Sequence, residues 1–316
     1  MTVERTTTLK IGTRGSPLAL AQAYEVRERL VAAGCLPNPA SAEIVIVSTK
    51  GDRILDRSLA AIGGKGLFTK EIEDRLLDGR VDVAVHSMKD MPTVLPEGLR
   101  ITAMLTREDP RDAWLCPTDK TLAALAAGGR VGTSSLRRRA QVLAARPDLE
   151  VLEFRGNVQT RMRKLKEKIA DATLLALAGL NRLGLAEVAT AVFEPEELLP
   201  AVAQGAIGIE CRIDDERVEP MIRAIGCRKT ERAVDAERAM LAALDGSCRT
   251  PIAGLALTQD DGSLWLRGLV AMPDGSKVWR AEARGDDAIA LGTSVAAAIR
   301  EQAGERPWTA AAATLN

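Results

Sequence analysis

VAVHSMKDMPT, residues 83–93, carries an apolar run, Val81 to Val85, into an abrupt ending at Ser87, Met88, Lys89 and Asp90. Such a run reads as a buried strand of a parallel sheet, and ligands of open α/β folds gather where those strands end. Lys89 and Asp90 are therefore expected in a cleft. One carboxylate there, with arginines supplied by other segments, suits a cationic intermediate on an anionic substrate.

Outward from this stretch, strands alternate with helices. LKIG (9–12), a helix from Ser16 to about Gly34, EIVIVS (43–48) and an amphipathic helix near 67–77 lead into it. This is the βαβ rhythm of a parallel sheet. REDPRDAW (107–114), with Pro110 among clustered charges, reads as a linker. A second α/β unit follows: RVGTSS (130–135), a helix over 135–145, LEVLEF (149–154), a helix after Asn157 and the strand ATLLALA (172–178). AIGIECR (206–212) reads as another buried strand, which suits either sheet. From Cys227 the pattern changes to a helix over 230–244, the strands IAGLALT, SLWLRGLV and SKVWRAEA, and a helix near 286–303, as in a small α+β domain. The alanine-rich 310–313 is expected to fray.

Composition narrows the function. At 316 residues the chain is long enough for two or three domains. Forty-three basic residues balance forty-three acidic ones, which gives no global field for nucleic acid or an anionic membrane. MTVERTTTLK lacks a signal core and no apolar stretch approaches the roughly 20 residues of a membrane helix, so a cytoplasmic location is expected. Five cysteines without CxxC spacing, Cys35, Cys116, Cys211, Cys227 and Cys248, argue against a disulfide framework; most are expected to be buried small hydrophobes. With His86 as the sole histidine, neither a metal centre nor a serine–histidine triad is expected.

The arginines are uneven. Between Arg130 and Arg163 there are eight against three acids. GTSSLRRR (132–139) puts Ser134 or Ser135 at a helix N-cap, where free N–H groups and Arg137 or Arg138 would converge on one anion. RGNVQTR places Arg155 at a strand end and Arg161 a turn into the next helix. Arginine suits carboxylates because its planar fork donates two parallel bonds. GTRGSP (12–17) repeats the design, with Arg14 after a strand and Ser16–Pro17 opening a helix. IGGKGLF (62–68) reads as a flexible loop around Lys65 with Phe68 as an apolar cover, and it lacks the spacing of a phosphate or dinucleotide loop. Cys248, in LDGSCRTPI (244–252) beside Arg249, is placed to be more nucleophilic than a buried thiol.

Together these segments resemble the porphobilinogen deaminase family. The likeness runs in the family's order through GTRGSPLALAQA, GGKGLFTKEIE, AVHSMKDMPT, REDPRDAW, VGTSSLRRRAQ, FRGNVQTR, AGLNRLGL and PAVAQGAIGIECR to the cysteine loop. It implies an α/β fold of two periplasmic-binding-protein-like domains plus a small C-terminal α+β domain. These are 1–106 with 201–225, 107–200, and 226–316, which assigns the strand in 206–212 to the first. It further implies that four porphobilinogens are joined head to tail, with loss of ammonia, into hydroxymethylbilane, primed by a dipyrromethane held as a thioether to Cys248. A thiolate is a fit nucleophile for the azafulvene left when porphobilinogen loses ammonia. Asp90 matches the catalytic aspartate. Ser87, Lys89, Lys65, Thr133, Ser135, Arg137, Arg138 and Gln204 match cofactor-contacting positions; Arg14, Ser16, Phe68, Arg155, Arg161 and Arg182 match substrate-binding ones. Some relatives would carry a further lysine where this chain has Ala61. A monomer that passes its product to uroporphyrinogen III synthase, with no nucleic-acid or membrane partner, is implied as well.

Two other classes compete. A cytosolic two-lobed anion-binding protein without catalysis would use the arginines but has no use for Cys248. An RNA-binding protein would use GTSSLRRR and RGNVQTR, yet only 3% of residues are aromatic, which leaves little for base stacking.

Overall fold

β-Branched and small apolar residues in short runs build three sheets in the computed structural model, which describes residues 8–53, 66–244 and 250–313. The strands are β1 (Leu9–Thr13), β2 (Ala42–Ile46), β3 (Val83–Ser87), β4 (Leu99–Met104), β5 (Asp112–Leu115), β6 (Arg130–Gly132), β7 (Glu150–Leu152), β8 (Ala172–Ala176), β9 (Ala191–Val192), β10 (Ile207–Arg212), β11 (Ile252–Thr258), β12 (Leu264–Ala271) and β13 (Val278–Gly285). The described residues form two compact units, 8–53 with 66–107 and 206–231, and 108–205 with 232–313.

In the first unit the sheet order is β2-β1-β3-β10-β4. β1 pairs in parallel with β2 and β3, whereas β10 lies antiparallel between β3 and β4. That resolves where 206–212 goes: into this sheet, at its centre. It also corrects the expectation of a purely parallel sheet. Period-two alternation sends Val83 and Val85 into one core with Val26 and Leu30 of the Pro17–Ala32 helix, and Ala84 into another with Ile72 and Leu76 of the Lys70–Leu77 helix. β3 is therefore covered on both faces, as its unbroken apolar run required.

Gly208 of β10 stands opposite His86 in this register. A Cβ at Gly208 would come within 2.1 Å of Met88 Sδ, so the missing side chain lets the Met88–Asp90 3₁₀ turn close onto the sheet. Gly208→Ala is expected to cost about 1–3 kcal/mol through this overpacking. Urea unfolding checks it, and an unchanged midpoint would contradict the close approach.

The second unit carries two sheets. One has the order β7-β6-β8-β5-β9, with β5 antiparallel to both neighbours; the other is the antiparallel β11-β12-β13 meander against the Ala288–Ala303 helix. Segment 107–114 is not a linker throughout: Asp112–Leu115 is the buried strand β5 of the first of these sheets. Its Ala113, Trp114 and Leu115 belong to the interior, and Pro110 and the charges precede it. Strand 172–178 is also shorter than expected, because Leu177 opens the Leu177–Arg182 helix. β4 was not singled out by sequence, although Leu99, Ile101 and Ala103 alternate with Arg100 and Thr102 as in a strand, and neither was the two-residue β9, which is too short to carry a signal. Alanines 310–313 lie at the end of a helix, Arg306–Ala313. Of the four described cysteines, Cys116 and Cys211 are buried but Cys35 and Cys227 are only partly so.

Candidate active site

In the first unit the site residues are set by two strand ends. After β1 the chain turns at Arg14, and Ser16 caps the Pro17–Ala32 helix by accepting from Ala19 N at 3.2 Å, with Pro17 pre-set at the first helical position. The Arg14 guanidinium lies over the Phe68 ring at 4.2 Å and reaches Asp90 at 4.0 Å. An arginine, an aromatic face and the strand-end carboxylate thus come together. Asp90's side chain is 37% exposed, which leaves the carboxylate open to a ligand. Lys89 is exposed beside it. Ser87 is tied from the helix side: Gln22 Nε2 donates to Ser87 Oγ at 2.9 Å. Gln22 was not singled out by sequence, and nothing local marks it.

In the second unit Ser135 caps the Leu136–Ala145 helix, accepting from Arg138 N, while Ser134 Oγ instead accepts from Phe154 N at 3.1 Å. Buried Thr133 accepts from Ser135 N and shapes the turn. The anion that Arg137 and Arg138 hold proves to be one of the chain's own. Asp112, fully buried on β5, accepts from Arg138 Nη2 on Oδ1 at 2.7 Å and from Gln204 Nε2 on Oδ1 at 2.9 Å, and its Oδ2 forms an ion pair at 2.7 Å with Arg137 Nη1, which donates to the Leu199 carbonyl at 2.8 Å. Burial pushes the Asp112 carboxyl up, but the two guanidinium charges outweigh it and hold the group well below the usual carboxylate range. Reading 107–114 as a linker hid this residue; the signal was one acid at the head of an apolar tetrapeptide.

RGNVQTR folds as its residues dictate. Gly156 adopts φ +127°, Asn157 caps the Val158–Lys166 helix through Thr160 N at 2.9 Å, and Arg161 Nε donates back to the Gly156 carbonyl at 2.9 Å. Arg161's proton affinity is pushed down to about 10, first by burial and then by the charge of Arg138, with Arg155 adding to it against one opposing glutamate, Glu153. Arg138 and Arg155 are thus close enough for their charges to act on Arg161. Arg137 Nε is buried with no hydrogen-bond partner among the described residues. Arg182 ends its helix and donates Nη2 to the Gly205 carbonyl at 3.0 Å. By contrast Arg139 and Arg163 are exposed. Lys65, Cys248 and Ala61 lie outside the described residues. Among the described residues no group of histidine, cysteine and carboxylate side chains is placed to hold a metal ion.

Comparison with known proteins follows the same line. The family model described as "Porphobilinogen deaminase, dipyromethane cofactor binding domain" matches residues 9–220, and "Porphobilinogen deaminase, C-terminal domain" matches 232–301. The chain is 57% identical over 297 residues to the porphobilinogen deaminase of Paracoccus denitrificans (strain Pd 1222), covering 93% of this chain and 94% of that one. It is 54% identical over 301 residues to the chloroplastic porphobilinogen deaminase of Oryza sativa subsp. japonica, covering 94% and 84%. Among solved structures, an ABC transporter periplasmic substrate-binding protein from Coxiella burnetii is 14% identical with a TM-score of 0.44, covering 71% of this chain and 94% of that one. The methionine-binding protein MetQ is 13% identical with a TM-score of 0.45, covering 72% and 93%. Likenesses at that level carry no argument. The first family model, over residues 9–220, and the two relatives, each spanning most of the chain, show that it belongs to the porphobilinogen deaminase family.

Proposed function

We propose that Asp90 is the carboxylate that stabilises positive charge on the pyrrole nitrogens during porphobilinogen polymerisation, and that the arginines bind the acidic side chains of the substrate. As a porphobilinogen deaminase, the chain joins four porphobilinogens head to tail, with loss of ammonia, into hydroxymethylbilane in tetrapyrrole biosynthesis. Charge develops on a pyrrole nitrogen as ammonia leaves and again as the carbon–carbon bond forms, and a fixed carboxylate stabilises both stages. Asp90 also stands open to assist proton transfer at the amine and the ring carbon. Arg14, Ser16, Arg155, Arg161 and Arg182 take the acetates and propionates, with Phe68 as an apolar face. The non-catalytic anion-binding reading is not favoured.

The family's dipyrromethane cofactor supplies, when bound, the primer onto which substrate rings are added. The residues present fit a carboxylate-rich group of this kind. Burial and cationic neighbours disfavour the charge on Arg161, so an anion beside it offsets that cost, and Arg137 Nε has a buried proton to give. Ser87, Lys89, Thr133, Ser135, Arg137, Arg138 and Gln204 would hold it, with Lys65 and with Cys248 as the thioether anchor.

The meeting of Arg14 and the Phe68 ring with the Asp90 carboxylate at the end of β3 carries the assignment of Asp90, and the placing of Arg155 and Arg161 about the Gly156–Asn157 turn carries that of the arginines. Arg155→Leu tests the second. Losing one charge-assisted bond of about 1.5–3 kcal/mol corresponds to roughly 10- to 100-fold in kcat/KM, with early chain-elongation species accumulating. Unchanged kinetics would undo the carboxylate-binding argument.

We assign the chain three functional parts, 1–106 with 201–225, 107–200, and 226–316. No described helix is long and apolar enough to cross a membrane. The balanced charge supports a protein that binds no nucleic acid or anionic membrane, and we further propose a cytoplasmic monomer that hands its product to uroporphyrinogen III synthase.

A further inference from the structure

His86 and Glu210 are buried in the first unit and take no part in the chemistry above. His86 Nε2 and Glu210 Oε2 stand 3.0 Å apart across β3 and β10, with side chains 4% and 0% exposed. Burying a carboxylate in a sheet is costly unless it is paired. A third polar group closes the cluster: Glu73 of the Lys70–Leu77 helix is buried, and burial above all, with Glu210's charge adding to it, raises its carboxyl above the ordinary range against the opposing effects of Thr69 and His86. The apolar cores around it make no use of this charge.

Its position gives it a use. His86 precedes Ser87 and the Met88–Asp90 turn, and successive strand residues face opposite ways. The last two residues of β3 are therefore tied on both faces, His86 to Glu210 behind and Ser87 to Gln22 in front. Met88 then packs over Gly208, the residue opposite His86.

We propose that the His86–Glu210 pair is a positioning device for the reaction: a hydrogen bond between β3 and β10 that fixes the end of β3 and hence the direction of Asp90. His86 donates from Nε2 and Glu210 accepts. Neither residue touches substrate. A displacement of about 1 Å at a reacting group is worth up to 100-fold in rate.

The chain holds a single histidine, so holoenzyme labelled with ¹⁵N-histidine gives one imidazole signal set. The expected wild-type result is a protonated Nε2 whose proton is slow to exchange; a bare Nε2 overturns the pair without any substitution. His86→Phe is expected to lower kcat about 10-fold with KM for porphobilinogen unchanged within twofold. His86→Gln, whose amide can still donate to Glu210, should recover most of that loss. A purely structural role predicts instead that lost activity tracks lost folded protein, with no split between kcat and KM, and wild-type kcat in His86→Phe also refutes the proposal. The inference rests on the role given to Asp90, and Asp90→Asn measured alongside separates the failures: normal turnover there refutes Asp90's role, whereas a bare Nε2 refutes the pair.

Discussion

Asp90→Asn is expected to lower turnover by roughly 10²–10³-fold, the scale on which removing one preorganised electrostatic group acts, while the protein keeps its fold and its covalent cofactor. Asparagine preserves the shape and loses the charge. The side chain is partly exposed at the end of a 3₁₀ turn, and its ion pair with Arg14 is long at 4.0 Å, so little folding energy depends on it. On the role proposed for Asp90, what is lost is the fixed negative charge that stabilises the pyrrole nitrogen, at both the departure of ammonia and the bond-forming stage. Steady-state kinetics beside an intact mass checks both halves. Near-normal turnover would refute the role given to Asp90, and a variant without cofactor would move that role from turnover to assembly.

Asp112→Asn should act on stability instead, by about 3–5 kcal/mol, because removing one partner of a buried ion pair leaves charge uncompensated. Here the loss would strand two guanidiniums, those of Arg137 and Arg138, both nine-tenths or more buried. The pH dependence follows from the direction of the shift. Asp112's carboxyl is depressed in the folded state, so its contribution is fully present above the unfolded value, about 3.9, and is lost as pH falls through the folded one. Urea midpoints for the wild type should therefore hold at neutral pH and drop below about pH 4, with Asp112→Asn already low at neutrality. Equal midpoints at pH 7 would show that the cluster contributes nothing to folding.

Much of this site was legible in the sequence, and the reasons differ by residue. The Asp90 turn could be read because an apolar strand ending in polar residues has few other uses, and the structure does end β3 at Ser87. Ser16 and Asn157 caps are local, i to i+3, and so follow from short spacing alone. Asp112 was not legible as a site residue, because its partners lie 25 and 26 positions away and only burial turns a charge in a polar-looking segment into an ion-pair centre. Gln22 and Glu210 were missed for the same reason: their partners, Ser87 and His86, lie 65 and 124 positions away. For Glu210 a signal did exist, a lone acid inside the buried run AIGIECR. The strand 206–212 could not be assigned to a sheet from its composition, since a run apolar on both faces suits the middle of either.

The central claim is that the chain is a covalently primed polymerase of porphobilinogen anchored at Cys248. The most direct test is the intact mass of the purified protein under denaturing conditions, beside Cys248→Ser. The expected result is a wild type heavier than its sequence by two linked pyrrole units and a variant at its sequence mass. A wild type at its sequence mass, still unmodified after incubation with porphobilinogen, would contradict it.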